Sequence, residues 1–174
     1  MGSHHHLLNS ELTWHNREMW DEAVSYLELL FRRRNGGLSQ ISNTASSLRN
    51  RIDAVDAFIQ VNTAAVCPDC RKVCCINKHG YHDYQDLIYL ASLGLKPPHY
   101  RNGIGDADPC QFLSEFGCTI DRALRPFRCN WHFCSELINH MNAGPAKSLR
   151  EFNLQFKELQ ALRQEMVDIF SNLL

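Results

Sequence analysis

The chain contains 174 residues, of which 44% are hydrophobic and 21% are charged, and its formal net charge is -1. This length and composition predict one globular domain with enough apolar material for a core. The near-neutral charge disfavours recruitment of nucleic acid or of an anionic membrane, and no run approaches the roughly 18 apolar residues of a membrane span.

We predict that residues 1–9 are a tag and an N-terminal tail, because the run begins like an expression tag and holds His4 to His6. These histidines are left out of every predicted ligand set. The apolar pair Leu7-Leu8 is far too short for the core of a signal peptide. Since no secretion signal is visible, the predicted compartment is the cytoplasm, where cysteines stay reduced.

Residues 10–64 are predicted to form a helical hairpin within a single domain of residues 10–174. Apolar residues recur at helical spacing from about Ser10 to Arg34, and Gly36 lies in the glycine pair that is expected to stop this helix. The second helix is predicted from about Ser39 to Thr63. Its apolar seam, which is expected to pack on a partner helix, consists of Ile41, Ala45, Leu48, Ile52, Val55 and Ile59.

Residues 65–140 are predicted to form a Cys-rich chelating module, because cysteines, prolines and turn residues concentrate there. One short helix is expected from about Asp83 to Leu93, with Asp83 as N-cap and Gly94 as a stop signal. The segment Cys110–Ile120 is typical of a small hairpin that brings two thiols close together.

The chain is predicted to close with a helix in residues 145–174, running from about Pro145 to Leu173. The predicted fold class is therefore mainly α. Three long amphipathic helices are expected to pack around an irregular Cys-rich metal-binding insert that holds a short helix and a small hairpin.

All cysteines of the chain fall within one stretch of the sequence. Thiolates separated by two or three residues can turn back on one ion, so this density predicts a metal site. Eight thiolates fit two tetrahedral zinc sites, and they equally fit one or two iron–sulfur clusters. The predicted metal ligands are Cys67, Cys70, Cys74, Cys75, Cys110, Cys118, Cys129 and Cys134.

Several alternatives remain open at the level of sequence. The side chains of the adjacent Cys74 and Cys75 diverge, so the two cysteines serve different ions or only one of them is a ligand. His79, His82 and His132 are either substitute ligands or surface and hydrogen-bonding residues. Four disulfide bonds, purely structural zinc, and redox chemistry at Cys74-Cys75 are the other interpretations of the cluster.

Five short blocks follow one another in a recognisable order. They are Cys67-x2-Cys70-x3-Cys74-Cys75, Pro109-Cys110-Gln111-Phe112-Leu113, Gly117-Cys118-Thr119-Ile120, Arg125-Pro126-Phe127-Arg128-Cys129, and Cys134. This order resembles the cysteine-cluster family of zinc- or iron-chelating domains called the YkgJ type or flagellin N-methylase-like. The resemblance covers under half of the chain. The family's first block usually has two residues before the paired cysteines, whereas this chain has three, which implies a changed role for Cys74 or Cys75.

The resemblance implies chelation and a loose association with protein lysine methylation. The chain lacks a Gly-rich strand-to-helix turn of the kind that binds a methyl donor's nucleotide. The predicted function is therefore a metal-binding protein that chelates zinc, or alternatively an iron–sulfur cluster, and interacts with a protein partner. An iron–sulfur redox enzyme or a protein-methylation-associated enzyme is the alternative, and a nucleic-acid-binding zinc module is disfavoured. Whether the chain is an enzyme, which residues would be catalytic, and the oligomeric state are left open.

Overall fold

The computed structural model describes residues 16–33, 36–70 and 73–173. Within these ranges the protein is mainly helical, with five α-helices and one two-stranded antiparallel hairpin. This confirms the predicted mainly α class. The elements are, in chain order, α1 (Arg17–Arg32), α2 (Gly36–Val66), α3 (Tyr84–Ser92), β1 (Leu113–Ser114), β2 (Gly117–Cys118), α4 (Ser135–Ala143) and α5 (Ala146–Leu173).

The described residues divide into two compact units, and the two longest helices contribute to both. The first unit contains the described residues up to Arg49, Tyr81–Pro98, and the chain from Gln160 onwards. The second unit contains the described part of Asn50–Gly80, together with His99–Leu159. These boundaries cut across the predicted helical segments, while the single domain of residues 10–174 stays a prediction.

In the first unit, helix α1 packs against α3. The side-chain oxygen of Asn16 caps α1 by accepting a hydrogen bond from the Met19 backbone N–H at 3.2 Å. Trp20, Ala23 and Leu27 are buried one turn apart, as the apolar spacing of the predicted first helix requires. The part of that prediction at residues 10–15, and its end at residue 34, lie outside the described residues.

Helix α3 confirms the short helix that was predicted inside the Cys-rich segment. Asp83 is its N-cap and forms a capping box with Asp86, in which each carboxylate accepts a hydrogen bond from the other residue's backbone N–H. Gly94 follows the helix with a φ of 70°, a conformation that glycine adopts without a steric penalty. The helix thus begins after Asp83 and ends before Gly94, as the sequence predicted.

Helix α2 is longer than the predicted helix at both ends. The glycine pair that was expected only to stop α1 forms the first turn of α2, because glycine is tolerated at a helix start where some backbone N–H groups need no partner within the helix. At the other end the helix continues to Val66, and Cys67–Asp69 then form a 3-10 turn with Pro68 near its start. All six residues of the predicted seam are at most 2% exposed.

In the second unit, aromatic rings join the end of α2 to the start of α5. The rings of Phe58 and Phe152 are stacked with centroids 4.6 Å apart, and the ring centroids of Phe133 and Phe156 lie 6.1 and 5.9 Å from that of Phe152. Each such aromatic pair contributes about 0.5–1.5 kcal/mol beyond its buried area. Phe133 directly precedes Cys134, so this aromatic cluster adjoins the last cysteine in the sequence.

Helix α4 was missed by the sequence analysis. Its buried residues Leu137 and Met141 are only one turn apart, so the apolar pattern is too short to stand out. Its N-cap is Cys134, whose side chain makes no capping hydrogen bond, so the usual start signal is absent too. No helix in the described part of the chain is long and apolar enough to cross a membrane.

Candidate metal centre

All eight predicted ligands lie in the second unit, on the turns and irregular segments that connect its helices, or at the edge of its hairpin. No disulfide bond joins any two of these eight cysteines, all of which belong to the described residues. The thiols that raise the pKa of Cys67, Cys74, Cys110 and Cys129 fall into two sets, and Cys75 neighbours members of both sets. The first cysteine group is Cys67, Cys70, Cys74 and Cys134, and the second cysteine group is Cys75, Cys110, Cys118 and Cys129.

The backbone brings Cys75 and Cys110 together across a sequence separation of more than thirty residues. The N–H of Cys110 donates a hydrogen bond to the carbonyl of Cys75 at 2.8 Å, next to an antiparallel bridge between Ile76 and Pro109. Burial raises the pKa of both thiols. For Cys75 the neighbouring thiols of Cys67, Cys110 and Cys118 raise the pKa further.

The hairpin places Cys118 beside the same point. Its strand residue Cys118 is directly opposite Leu113, whose N–H donates to the carbonyl of Cys110 at 2.8 Å. Gly117, with a φ of 102°, supplies the left-handed conformation that closes the hairpin. The hairpin therefore confirms the predicted element that brings Cys110 and Cys118 close together.

Cys129 completes the second cysteine group from a 3-10 turn, Phe127–Asn130. Burial raises the pKa of its thiol to about 12, the thiols of Cys118, Cys110 and Cys75 add to this, and the charge of Arg125 opposes it. The thiol donates a weak hydrogen bond to the carbonyl of His79 at 3.8 Å.

Two arginines hold the turn of Cys129. The buried guanidinium of Arg122 pairs with the carboxylate of Asp56 on α2 and also donates to the carbonyl of Cys129 at 3.4 Å. Arg125, from the Arg-Pro pair noted in the sequence, donates to the carbonyl of Ile120 at 2.7 Å. The turn is thereby tied to a helix on one side and to the end of the hairpin segment on the other.

The first cysteine group gathers around the turn that follows α2. The N–H of Cys70 donates to the carbonyl of Cys67 at 3.2 Å, which closes the two-residue gap between them. The pKa of Cys67 is raised by burial and then by the thiols of Cys74, Cys134 and Cys70. The pKa of Cys74 is raised to about 12 by burial, by the thiol of Cys75, and by the thiol of Cys134, to which it is also hydrogen-bonded.

Two residues that the sequence analysis missed hold the segments of the second cysteine group together. Asn77 is fully buried, and its side chain donates to the carbonyl of Ile104 at 3.2 Å and accepts from the Gln111 side-chain amide at 3.0 Å. A Cβ atom added to Gly80 would lie 2.8 Å from the sulfur of Cys110. No pattern in the sequence marks either residue, since both roles depend on contacts between distant segments.

The three candidate histidines lie in different surroundings. His79 and His132 pack together with ring centroids 4.3 Å apart, and Nδ1 of His79 is 3.3 Å from the carbonyl oxygen of Cys74. Burial lowers the pKa of His79, and the neighbouring His132 lowers it further. His82 is buried in the first unit. His79 therefore contacts a member of each cysteine group, Cys74 and Cys129, and His132 packs on His79.

The donor set fits a thiophilic ion in its chemistry. Gly80 leaves the space that the sulfur of Cys110 occupies, and the fully buried side-chain amide of Asn130, next to Cys129, has no hydrogen-bond partner. Among the described residues, no three His, Cys, Asp or Glu side chains stand in an arrangement that would hold an ion directly. Binding would thus require the thiols to rotate towards a common point from positions where they are already neighbours.

No family model, no curated protein and no solved structure is found to match this chain. The resemblance to the YkgJ-type cysteine-cluster family therefore stays a prediction that rests on the spacing of the cysteines.

Proposed function

We propose that this chain is a metal-binding protein that chelates zinc, or alternatively an iron–sulfur cluster, through its eight cysteines. One observation carries the proposal: every cysteine has other cysteines as electrostatic neighbours within the second unit. If these thiols were ionised without a metal, the thiolates would repel one another. A metal cation placed among them deprotonates its thiol ligands and attracts each of the resulting thiolates.

Without a bound ion, ionising these thiols costs free energy, and this cost is the physical reason to expect a metal. Burial raises the pKa of Cys67, Cys75 and Cys110, so none of these thiols ionises readily at neutral pH in a metal-free protein. The segments that carry them contain short 3-10 turns and a hairpin with two residues in each strand. In such a segment the free energy of metal binding contributes directly to folding.

Metal analysis of protein purified without air, combined with an absorption spectrum, tests the proposal. Colourless protein with stoichiometric zinc is the expected result. A brown protein with iron and acid-labile sulfide would support the iron–sulfur alternative. Protein that binds neither zinc nor iron, whether cells are grown with added zinc or with added iron, would overturn the proposed function.

The proposed function includes a protein partner. Phe116, in the turn of the hairpin, is 92% exposed, and its apolar ring is the position at which we place the partner contact. A photo-reactive phenylalanine analogue at position 116 is expected to form one discrete cross-linked species in cells. The same analogue in place of the half-buried Phe156 is the control and should form none. If position 116 also forms none, this part of the proposal fails.

A further inference from the structure

We infer that the eight cysteines form two separate four-thiol metal sites, and that the peptide bond between Cys74 and Cys75 is the boundary between them. The inference deepens the proposed function and rests on it. The first site would be made by the first cysteine group (Cys67, Cys70, Cys74, Cys134) and the second by the second cysteine group (Cys75, Cys110, Cys118, Cys129).

The second cysteine group is the more completely connected set. Each of its four thiols has the other three as electrostatic neighbours. Backbone contacts support the same grouping, since Cys110 is hydrogen-bonded to Cys75 and the hairpin register places Cys118 beside Leu113, which is bonded to Cys110. A tetrahedral ion requires four thiolates, and these four would reach it by rotating towards a common point.

Cys129 is joined to this set through the segment His79–Gly80. Its thiol faces the carbonyl of His79, while the next residue, Gly80, is the one that approaches the sulfur of Cys110. Three independent backbone segments therefore converge on one region: the segment after Cys75, the hairpin, and the turn of Cys129.

The first cysteine group is organised around Cys67. Cys67 has Cys70, Cys74 and Cys134 as electrostatic neighbours, and the thiols of Cys74 and Cys134 are hydrogen-bonded to each other. The thiols that raise the pKa of Cys67 and Cys74 do not include Cys110, Cys118 or Cys129. Cys67 and Cys74 thus have their thiol neighbours within the first cysteine group and at Cys75.

Cys75 is the residue at which the two groups adjoin. It neighbours Cys67 and Cys74 as well as the second cysteine group. Ligand number decides its place: the first group already has four thiols without Cys75, whereas the second has only three. The backbone bond from Cys110 to Cys75 agrees with this assignment.

Each site would bind one zinc ion in exchange for the protons of its thiols. One zinc ion and four protonated thiols give one tetrathiolate centre with a net charge of minus two and four protons released to solvent. Arg125, whose charge acts on Cys129, and Arg122, which is bonded to the Cys129 carbonyl, offset part of this charge at the second site.

Titration of the reduced, metal-free protein with cobalt(II) tests the division. In every sample His4, His5 and His6 are changed to alanine, so that the N-terminal histidines bind no cobalt. The unaltered thiol set should bind two cobalt ions per chain, with the absorption of tetrahedral tetrathiolate cobalt. Changing Cys67 and Cys70 to serine should remove one ion, and changing Cys110 and Cys118 to serine should remove the other.

A third substitution, added to the variant that lacks Cys67 and Cys70, tests the boundary itself. Cys74→Ser combined with the loss of Cys67 and Cys70 should still leave one complete tetrathiolate site, whereas Cys75→Ser in the same background should remove the spectrum of that site. A single ion bound by all thiols together, or loss of both ions in either double variant of the folded protein, would overturn the division. Protein that binds no cobalt and no zinc at all would instead overturn the proposed function.

X-ray absorption of the zinc-loaded protein with all cysteines present keeps the inference testable if a variant fails to fold. Two separate sites predict four sulfur ligands per zinc at about 2.3 Å and no scattering from a second metal at bridging distance. A metal–metal signal, or an average of fewer than four sulfur ligands, would contradict two separate four-thiol sites.

Discussion

Asn77 and Gly80 show how single residues set the approach of the cysteine-bearing segments. The side chain of Asn77 links the turn after Cys75 to the loop that leads into Cys110. Because this amide is fully buried, its hydrogen bonds are not exchanged with water, and their loss would leave unpaired polar groups inside the unit. Gly80 acts differently, by the absence of a side chain next to the Cys110 sulfur.

We expect Gly80→Ala to weaken metal binding at the second cysteine group by about 10- to 100-fold, the usual effect of disturbing a residue that supports a ligand. The added methyl group would lie 2.8 Å from the Cys110 sulfur and 3.3 Å from the Asn77 carbonyl, so the thiol must move. Competition with a chromophoric chelator measures the change. Gly36→Ala is the matched control, because nothing lies within 4 Å of that Cβ position. Equal affinities for both variants would refute the role given to Gly80.

The metal-free protein is expected to lose stability in alkaline solution. The thiols of Cys74 and Cys129 have a pKa of about 12 in the folded chain, against an ordinary value of 9.0. Between these values the folded state holds more protons than the unfolded state, so the free energy of unfolding falls as pH rises. The stabilisation is complete below the unfolded pKa and is lost as pH rises through the folded pKa.

Urea unfolding of the reduced, metal-free protein at about pH 8 and about pH 10.5 measures this slope. Cys129→Ser should show a smaller decrease than the unaltered chain, because serine does not ionise in this range. An identical decrease in both would show that other groups cause the alkaline instability.

At the scale of elements, a buried ion-pair network joins α5 to the start of α3 within the first unit. The guanidinium of Arg163 contacts both carboxylate oxygens of Asp83 at 2.9 Å and the carboxylate of Asp86 at 3.0 Å. Asp86 is almost fully buried, whereas Asp83 is more than half exposed. The partner that depends most on Arg163 is therefore Asp86.

Replacing Arg163 by methionine is expected to lower the free energy of unfolding by about 3 kcal/mol, because the buried Asp86 carboxylate loses its countercharge. Urea denaturation measures the loss. The double variant with Asp86→Asn should recover part of it, since the remaining group is then neutral. Lys147→Met is the surface control: its pair with Glu151 is exposed and 3.9 Å long, so the expected change is below about 0.5 kcal/mol.

Helices that carry a long apolar stripe or a strong cap could be predicted from the sequence. The seam of α2 and the capping box of α3 both lie where the pattern placed them. Helix α4 could not be predicted, because it has nine residues, two buried apolar residues and no side-chain cap. The extension of α2 at Gly36 was also missed, since glycine marks helix starts as well as helix ends and local sequence does not separate the two.

At the scale of the whole molecule, the cysteines are confined to one of the two compact units. All eight thiols belong to the second unit, where short turns and the hairpin connect α2, α4 and α5. If metal binding contributes to the folding of these segments, its removal should act on them first.

We expect a strong chelator to raise amide hydrogen exchange mainly in residues 67–80 and 99–134, and much less in α3. The physical reason is that α3 is bounded by its own capping box and buried side chains, whereas the proposed metal ions would stabilise the cysteine segments. Exchange measured by mass spectrometry follows each segment, and chelator already saturated with zinc is the control. Uniform exchange with and without metal would argue against a metal-dependent second unit.

By itself, the sequence determined the helical class, the positions of the main apolar seams, and the presence of eight thiols in one stretch. These features follow from local periodicity, from capping chemistry and from composition, all of which are visible along the chain. Only the tertiary structure decided which cysteines are neighbours, and that Asn77 and Gly80 lie between their segments. Thiols more than thirty residues apart meet through hydrogen bonds between loops, and the spacing of cysteines in sequence does not encode those bonds.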